Sequence, residues 1–238
     1  MRISNSEGAS SIVSGAITYV EKLNSEAEAR WVDKLRVDNS LTRAMVSFQA
    51  NKGKAVYRWF KYKEAFSAAL VEHLLSRYRI DKGTVLDPFS GSGTALFAAG
   101  GLGMKAEGIE LLPIGQTVIA TKQLIDWEVK DADVQRLVFW REERPWKKSK
   151  TVKPINELRI THGAYPTESL EAMGRFLELS EQEGQRVKAL LLFALLCILE
   201  SISYTRKDGQ YLRWDYRSVV PKQCGFLAIQ LFCRRPDA

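Results

Sequence analysis

Residues 84–110 contain the side chains whose types and spacing could do chemistry. Asp87-Pro88-Phe89 runs into a turn of glycines and hydroxyls, Ser90-Gly91-Ser92-Gly93-Thr94, and a second acid, Glu110, stands 23 positions after Asp87. Glycines let a backbone come close to a ligand, and free N–H groups at a helix start can donate to it. An acid about 20 residues further on is placed to meet ribose hydroxyls. The set therefore suits a nucleotide-like ligand. Gly93 is followed by Thr94 with no lysine nearby, so a phosphate-binding P-loop and triphosphate chemistry are not expected. Residues 91–96 complete only half of the G-x-G-x-x-G of a dinucleotide fold, and a glycine turn without a ligand is the plain alternative.

Positioning these residues requires a short apolar strand at 84–86, an Ala-rich helix after Thr94, a break at Gly100-Gly101 and a second strand at 105–109. Strand, glycine turn and helix in that order make half of a βαβ unit. Ahead of them, Phe66, Leu70, Leu74 and Tyr78 recur every four residues with Leu75 beside them, which predicts an amphipathic helix. Asp81-Lys82-Gly83 turns the chain into the strand, and Asn51-Lys52-Gly53-Lys54 is a turn further upstream. Past Glu110, helices are predicted at 113–125, with Ile114, Val118 and Ile119 on one side, and at 168–179, with Leu170, Met173, Phe176 and Leu177 on one face. Residues 186–202 are apolar nearly all round and belong inside the molecule or under a partner. Residues 1–30 show weak helical periodicity and 31–48 no clear period.

The whole string Asp87-Pro88-Phe89-Ser90-Gly91-Ser92-Gly93-Thr94, with Gly108-Ile109-Glu110 downstream, resembles the S-adenosylmethionine-binding motifs of DNA amino-methyltransferases, which act on N4 of cytosine or N6 of adenine. In that family the glycine loop holds the methionine end of the cofactor and the acid after the second strand binds the ribose. The resemblance implies these roles for Asp87, Pro88, Phe89, Ser90, Gly91, Ser92, Gly93 and Thr94, and for Glu110. Residues 58–75 resemble the motif that precedes the cofactor loop, where a lysine-containing turn and the next helix close over the methionine moiety; Lys63, Phe66 and Ser67 occupy the matching turn and helix start. The family's Lys-Pro pair is replaced here by Lys63-Glu64. The implied fold is α/β: an incomplete Rossmann-like methyltransferase sheet with an added helical region.

Two stretches offer cations among aromatic rings. Residues 57–63 place Tyr57, Trp59, Phe60 and Tyr62 between Arg58, Lys61 and Lys63, a pattern that serves base stacking, phosphate contact, cation–π packing or plain core. Residues 201–218 alternate Arg206, Lys207, Arg213 and Arg217 with Tyr204, Tyr211, Trp214 and Tyr216 around Asp208-Gly209, which predicts a hairpin. Arg206, Lys207, Tyr211, Arg213, Trp214 and Arg217 are the candidates for contact with double-stranded DNA, by phosphate clamping and base stacking. The alternative is a surface hairpin whose cations pair with local acids such as Asp215. The charged piece 141–153 reads as a basic linker or a DNA-backbone contact.

The family methylates a poorly nucleophilic amine with an Asp/Asn/Ser-Pro-Pro-Tyr/Phe tetrapeptide. The 7 prolines of this chain include no adjacent pair, so no catalytic residue is assigned. The expectation is the cofactor-binding portion of a site-specific methyltransferase, truncated or frameshifted near residue 220, or split so that a second chain carries the catalytic motif. The rivals are an RNA or small-molecule methyltransferase, and a non-catalytic subunit using a degenerate domain as scaffold.

A length of 238 residues can bury a substantial core, and a net charge of +7 suits a polyanion partner without identifying one. Cys197, Cys224 and Cys233 lack C-x-x-C spacing and His73 and His162 are the only histidines, so no metal site is expected. The most apolar run, 189–199, is too short to span a bilayer, for which about 20 residues are needed, so no membrane partner is expected and a cytoplasmic location fits. The expected organisation is an N-terminal segment at 1–50, a cofactor-binding core at 51–140, the linker at 141–153, a helical region with the hairpin at 154–220, and an atypical tail at 221–238.

Overall fold

The computed structural model describes residues 6–34, 37–208 and 211–215, and leaves the side chains of residues 6–13, 208, 211 and 212 undescribed. Arg217 and the tail 221–238 lie outside the described residues. The chain divides into two units, Met1–Leu41 and Thr42–Ala238. The first carries one long helix, α1 (Ser6–Trp31). Near its end, Arg30 and Lys34 lie over the Trp31 ring, at 5.6 and 4.8 Å from its centroid.

In the second unit a 3-10 helix, Phe48–Gly53, stands where a turn is predicted, and α2 follows at Ala68–Arg77. The Ser67 side chain caps α2 by accepting from Leu70 N. The buried stripe of α2 is not the predicted one. Ala68 and Leu75 are buried with Val71 packed beside them, whereas Leu74 and Tyr78 are exposed. A helix advances about 100° per residue, so spacings of three, four and seven keep one face, while an unbroken series of fours drifts off it.

Strand β1 (Thr84–Asp87), helix α3 (Thr94–Gly101) and strand β2 (Lys105–Gly108) form the predicted βαβ unit. The strands pair in parallel, Thr84 opposite Lys105 and Asp87 opposite Gly108. Ala99 of α3, Leu75 of α2 and Met104 make a small core against one side of this sheet with Val85 and Ala106. Leu86, on the alternate side, is 62% exposed.

The larger core is helical. After α4 (Pro113–Trp127) come α5 (Asp131–Glu143), the single turn α6 (Pro145–Lys148), α7 (Thr167–Ser180) and α8 (Gln185–Ile198). Pro113 opens α4 at the first helical turn, where its missing N–H leaves no bond unmade. Helix α8 runs through the middle, burying Val187, Leu190, Leu191 and Ala194 against Leu137, Trp140, Trp146 and Phe176. Trp146, inside the stretch expected as a basic linker, is thus core. Its ring stacks on Trp140 at 5.9 Å and meets Phe176 edge-on at 5.5 Å. Two cations of the same stretch have partners as well: Lys148 pairs with Glu143 at 2.9 Å and Lys153 with Glu181 at 3.1 Å. A second small sheet, β3 (Thr205–Asp208) and β4 (Tyr211–Trp214), is the predicted antiparallel hairpin. Among the described residues, no helix is long and apolar enough to cross a membrane and no cluster of metal-ligating side chains occurs.

Candidate functional site

The parallel register carries both candidate acids to the same end of the sheet. The ladder continues beyond the strands, with Ile109 N–H donating to Asp87 O at 2.9 Å and Ser90 N–H to Ile109 O at 3.0 Å. Asp87 and the segment leading to Glu110 are therefore held side by side.

Between β1 and α3 the chain turns through Gly91 (φ 53°) and Gly93 (φ 79°), both left-handed, a conformation that favours glycine. Gly93 is the N-cap of α3 and offers no side chain, so no cap claims the first N–H groups of the helix. The turn is closed by Gly93 N–H to Ser90 O at 2.7 Å and by Ser90 Oγ–H to Asp87 O at 3.0 Å. Asp87 Oδ1 accepts from Phe89 N at 3.0 Å, while Asp87 Oδ2 is buried with no hydrogen-bond partner. A buried carboxylate oxygen with no donor is costly unless a ligand supplies one. Pro88 and Phe89 lie on the exposed side of the loop, and Ser90, Ser92 and Thr94 are buried.

Glu110 meets the loop through a glycine that the sequence did not single out. A Cβ added at Gly115 would lie 2.6 Å from Glu110 Cγ and 2.7 Å from Gly91 O. The start of α4, the Glu110 side chain and the glycine turn thus crowd one spot. Glu110 Oε1 accepts from Leu112 N at 2.7 Å, and Gln116 Nε2 donates to Glu110 O at 2.7 Å. Gly108 is equally confined, since a Cβ there would come 2.2 Å from Ser90 Oγ.

The segment before α2 reaches this turn through Tyr62, whose Cε1 would be 2.9 Å from a Cβ built on Gly91. Lys63, next in sequence, points to the hairpin, donating to Glu200 Oε1 at 3.3 Å and to Lys207 O. Phe66 is half-buried and its carbonyl accepts from Asn51 Nδ2 at 3.1 Å. Ser67 is fully buried, its hydroxyl donating to Met45 O at 2.6 Å as well as capping α2. Asn51 also accepts from Ala68 N at 3.0 Å, so this one amide ties the 3-10 helix to the start of α2.

In the hairpin, Arg206 lies opposite Arg213 and so shares a face with it. Arg206 Nε pairs with Asp215 Oδ2 at 2.8 Å, and Lys207 Nζ pairs with Glu64 Oε1 at 2.6 Å while lying 5.7 Å from the centre of the Tyr62 ring. Arg213 and Trp214 are exposed. Tyr211 belongs to β4, its side chain outside the description, and Arg217 lies beyond the described residues.

Lys122 also escaped sequence reasoning. It occupies the buried stripe of α4 with Gly115, Val118 and Thr121, where Ile114 and Ile119 were expected. Its Nζ donates to Ser92 O at 2.8 Å. Burial pulls its pKa from 10.5 down to about 8. Nothing in the local pattern distinguishes it from a surface lysine, and the only available signal is its helical spacing of four from Val118.

Three comparisons relate the chain to known proteins. Residues 18–114 match the family described as DNA methylase. Type II methyltransferase M.AvaI of Nostoc sp. is 52% identical over 203 residues, covering 85% of this chain and 42% of that protein. Type II methyltransferase M.BsoBI of Geobacillus stearothermophilus is 38% identical over 202 residues, covering 84% of this chain and 39% of that protein. A more distant similarity, 30% over 121 residues, covers half of this chain and 22% of Type II methyltransferase M.MjaII of Methanocaldococcus jannaschii. The chain thus spans about two fifths of the length of the first two relatives. No solved structure matches it.

Proposed function

We propose that this chain, which belongs to the DNA amino-methyltransferase family, binds S-adenosylmethionine on residues 87–94 and Glu110 as part of a site-specific methyltransferase acting on an exocyclic base amine. The carrying observation is the buried, donor-less Asp87 Oδ2 beside a glycine turn that opens α3. Asp87 would accept a hydrogen bond from the cofactor's cationic methionine end, and the uncapped N–H groups of α3 would donate to its carboxylate. Glu110 would accept from ribose hydroxyls. The cofactor supplies an electrophilic methyl group; the protein's part is to orient it and to hold the target amine near it. Lys63, Phe66 and Ser67 would shape the methionine side. Ser67 would do so through the start of α2, since its hydroxyl is engaged by Met45 and Leu70.

The βαβ unit supports a Rossmann-like methyltransferase sheet, of which β1 and β2 would be one part and the helices from α5 to α8 an added region. Duplex DNA is the proposed partner, with Arg206, Lys207, Tyr211, Arg213, Trp214 and Arg217 as its contacts. Arg206 and Lys207 would exchange their acid partners for phosphates on binding. The 238 residues contain no Pro-Pro pair, so the transfer step would use residues outside this sequence, in a longer form or on a second chain.

Calorimetry with S-adenosylmethionine tests the site. Asp87→Asn, which keeps an acceptor for Phe89 N–H, and Glu110→Gln should each weaken binding about tenfold or more, the scale of a hydrogen bond to a charged group. Unchanged affinity in both variants would refute the assignment. Binding by wild type without any preference for duplex DNA across a salt titration would favour an RNA or small-molecule methyltransferase instead.

A further inference from the structure

Ser92 stands between the two left-handed glycines, at the middle of the turn, and its carbonyl accepts from Lys122 of α4 at 2.8 Å. Lys122 is 1% exposed. Its ammonium lies 5.9 Å from the centre of the Tyr57 ring and 5.5 Å from that of Phe97, the latter on α3. An ammonium so deeply buried is costly, and an apolar side chain of similar length would fill the space at no such cost. Folding alone therefore does not account for a lysine here. What the lysine adds is a charged donor aimed at the one carbonyl that two conformationally free glycines flank.

We propose that Lys122 is a positioning residue of the cofactor loop: its ammonium fixes the Ser92 carbonyl and thereby keeps the turn at Gly91 and Gly93 in the shape that presents the N–H groups of α3 to the cofactor. This rests on the reading of residues 87–94 as the S-adenosylmethionine loop. The groups facing Lys122 leave it as the one that titrates just above neutrality. Burial pushes the Tyr57 hydroxyl and the Cys197 thiol of α8 each up to about 12, so both are neutral there. Asp126, one turn along α4, is raised chiefly by burial and is the acid that interacts with Lys122. Loss of the Lys122 proton above about pH 8 turns a charged donor into a weak neutral one, and the grip on Ser92 relaxes.

The test is Lys122→Met, read in two ways. In the cofactor-free protein at pH 7, amide hydrogen exchange at residues 91–95 should speed up about tenfold, with the amides of α8 no faster than in wild type as the control for folding. In calorimetry from pH 6.5 to 9.5, the variant should bind S-adenosylmethionine about tenfold more weakly than wild type at pH 7, and the gap should close as pH passes about 8. Loss of the cofactor's own α-amino proton near pH 8 weakens both proteins alike, while loss of the Lys122 proton weakens wild type alone. Equal exchange in the two proteins overturns the proposal. So does wild-type binding that the variant reproduces in both affinity and pH profile, an outcome that leaves the cofactor site standing. Faster loop exchange in the variant, with no cofactor binding by wild type, would instead keep Lys122's hold on the turn and remove the cofactor reading.

Discussion

Replacing Lys122 by methionine should change folding stability in a way set by pH. Burial brings the lysine from 10.5 to about 8. At 1.36 kcal/mol for each pKa unit, the folded protein holds the charge about 3 kcal/mol less favourably than the unfolded chain does. Methionine removes that cost. It also leaves Ser92 O without the Nζ donor, a loss of about 1–3 kcal/mol for a buried acceptor. Near pH 7 the two nearly cancel, and the variant should match or exceed wild type by up to about 2 kcal/mol.

The pH dependence is the sharper quantity. The unfolded chain binds the lysine's proton more tightly than the folded one, so wild type gains stability as pH rises from about 8 towards 10.5. Between pH 7 and pH 9 the gain is roughly 1 kcal/mol, and the variant's advantage should shrink by that amount. Cys197 and Tyr57 act the other way. Their folded values near 12 exceed the ordinary 9.0 and 10.0, so the stability they contribute is lost as pH rises through that range. Both proteins carry them, and the difference between wild type and variant isolates the lysine. Urea unfolding at pH 7, 8 and 9 with linear extrapolation measures it. A gap that stays constant with pH would refute the picture of a buried, charged Lys122.

Gly115→Ala should disturb the site where Glu110 meets the turn, because the new Cβ would sit 2.7 Å from the backbone oxygen of Gly91. Overpacking of this kind costs about 1–3 kcal/mol, and cofactor affinity, read by calorimetry, should fall with it. Trp146→Ala removes a ring that stacks on Trp140 and meets Phe176 edge-on, and should destabilise by about 3–5 kcal/mol in urea unfolding, whereas a solvated linker would tolerate it. At low pH, burial works to raise Glu183, but hydrogen bonds from Arg136 and Trp140 hold it below the usual carboxylate value. Its contribution is therefore complete above that ordinary value and lost as pH falls through the folded one. Glu183→Gln should flatten the acid limb of a stability–pH curve.

The candidate site was legible because its parts are local. Asp87, the glycine turn and Glu110 lie within one βαβ unit, and glycines with φ of 53° and 79° are needed wherever a chain turns so tightly into a helix. The hairpin was legible for the same reason, its paired strands Thr205–Asp208 and Tyr211–Trp214 being close neighbours in the sequence. Which side of each helix is buried was less so. The series Phe66, Leu70, Leu74, Tyr78 looked like a core stripe, yet the sheet and α3 cover Ala68, Val71 and Leu75. Helix α5 was missed, since its charged residues dilute the pattern around Leu137 and Trp140, and its ties to the core are distant in sequence: Arg186 to Asp133 at 2.8 Å and Trp140 to Glu183 at 2.7 Å.

By itself, then, the sequence determined the backbone of the glycine turn and the βαβ frame that carries the two candidate acids, Asp87 and Glu110, because those depend on residue types close together in the chain. Only the tertiary structure decided what surrounds them: Tyr62 against Gly91, Gly115 beneath Glu110, and a buried lysine on Ser92 from 30 residues away. A charged side chain carries no mark of burial in a sequence. Burial is decided by how distant helices pack, and here the packing of α4 puts Lys122 behind the turn.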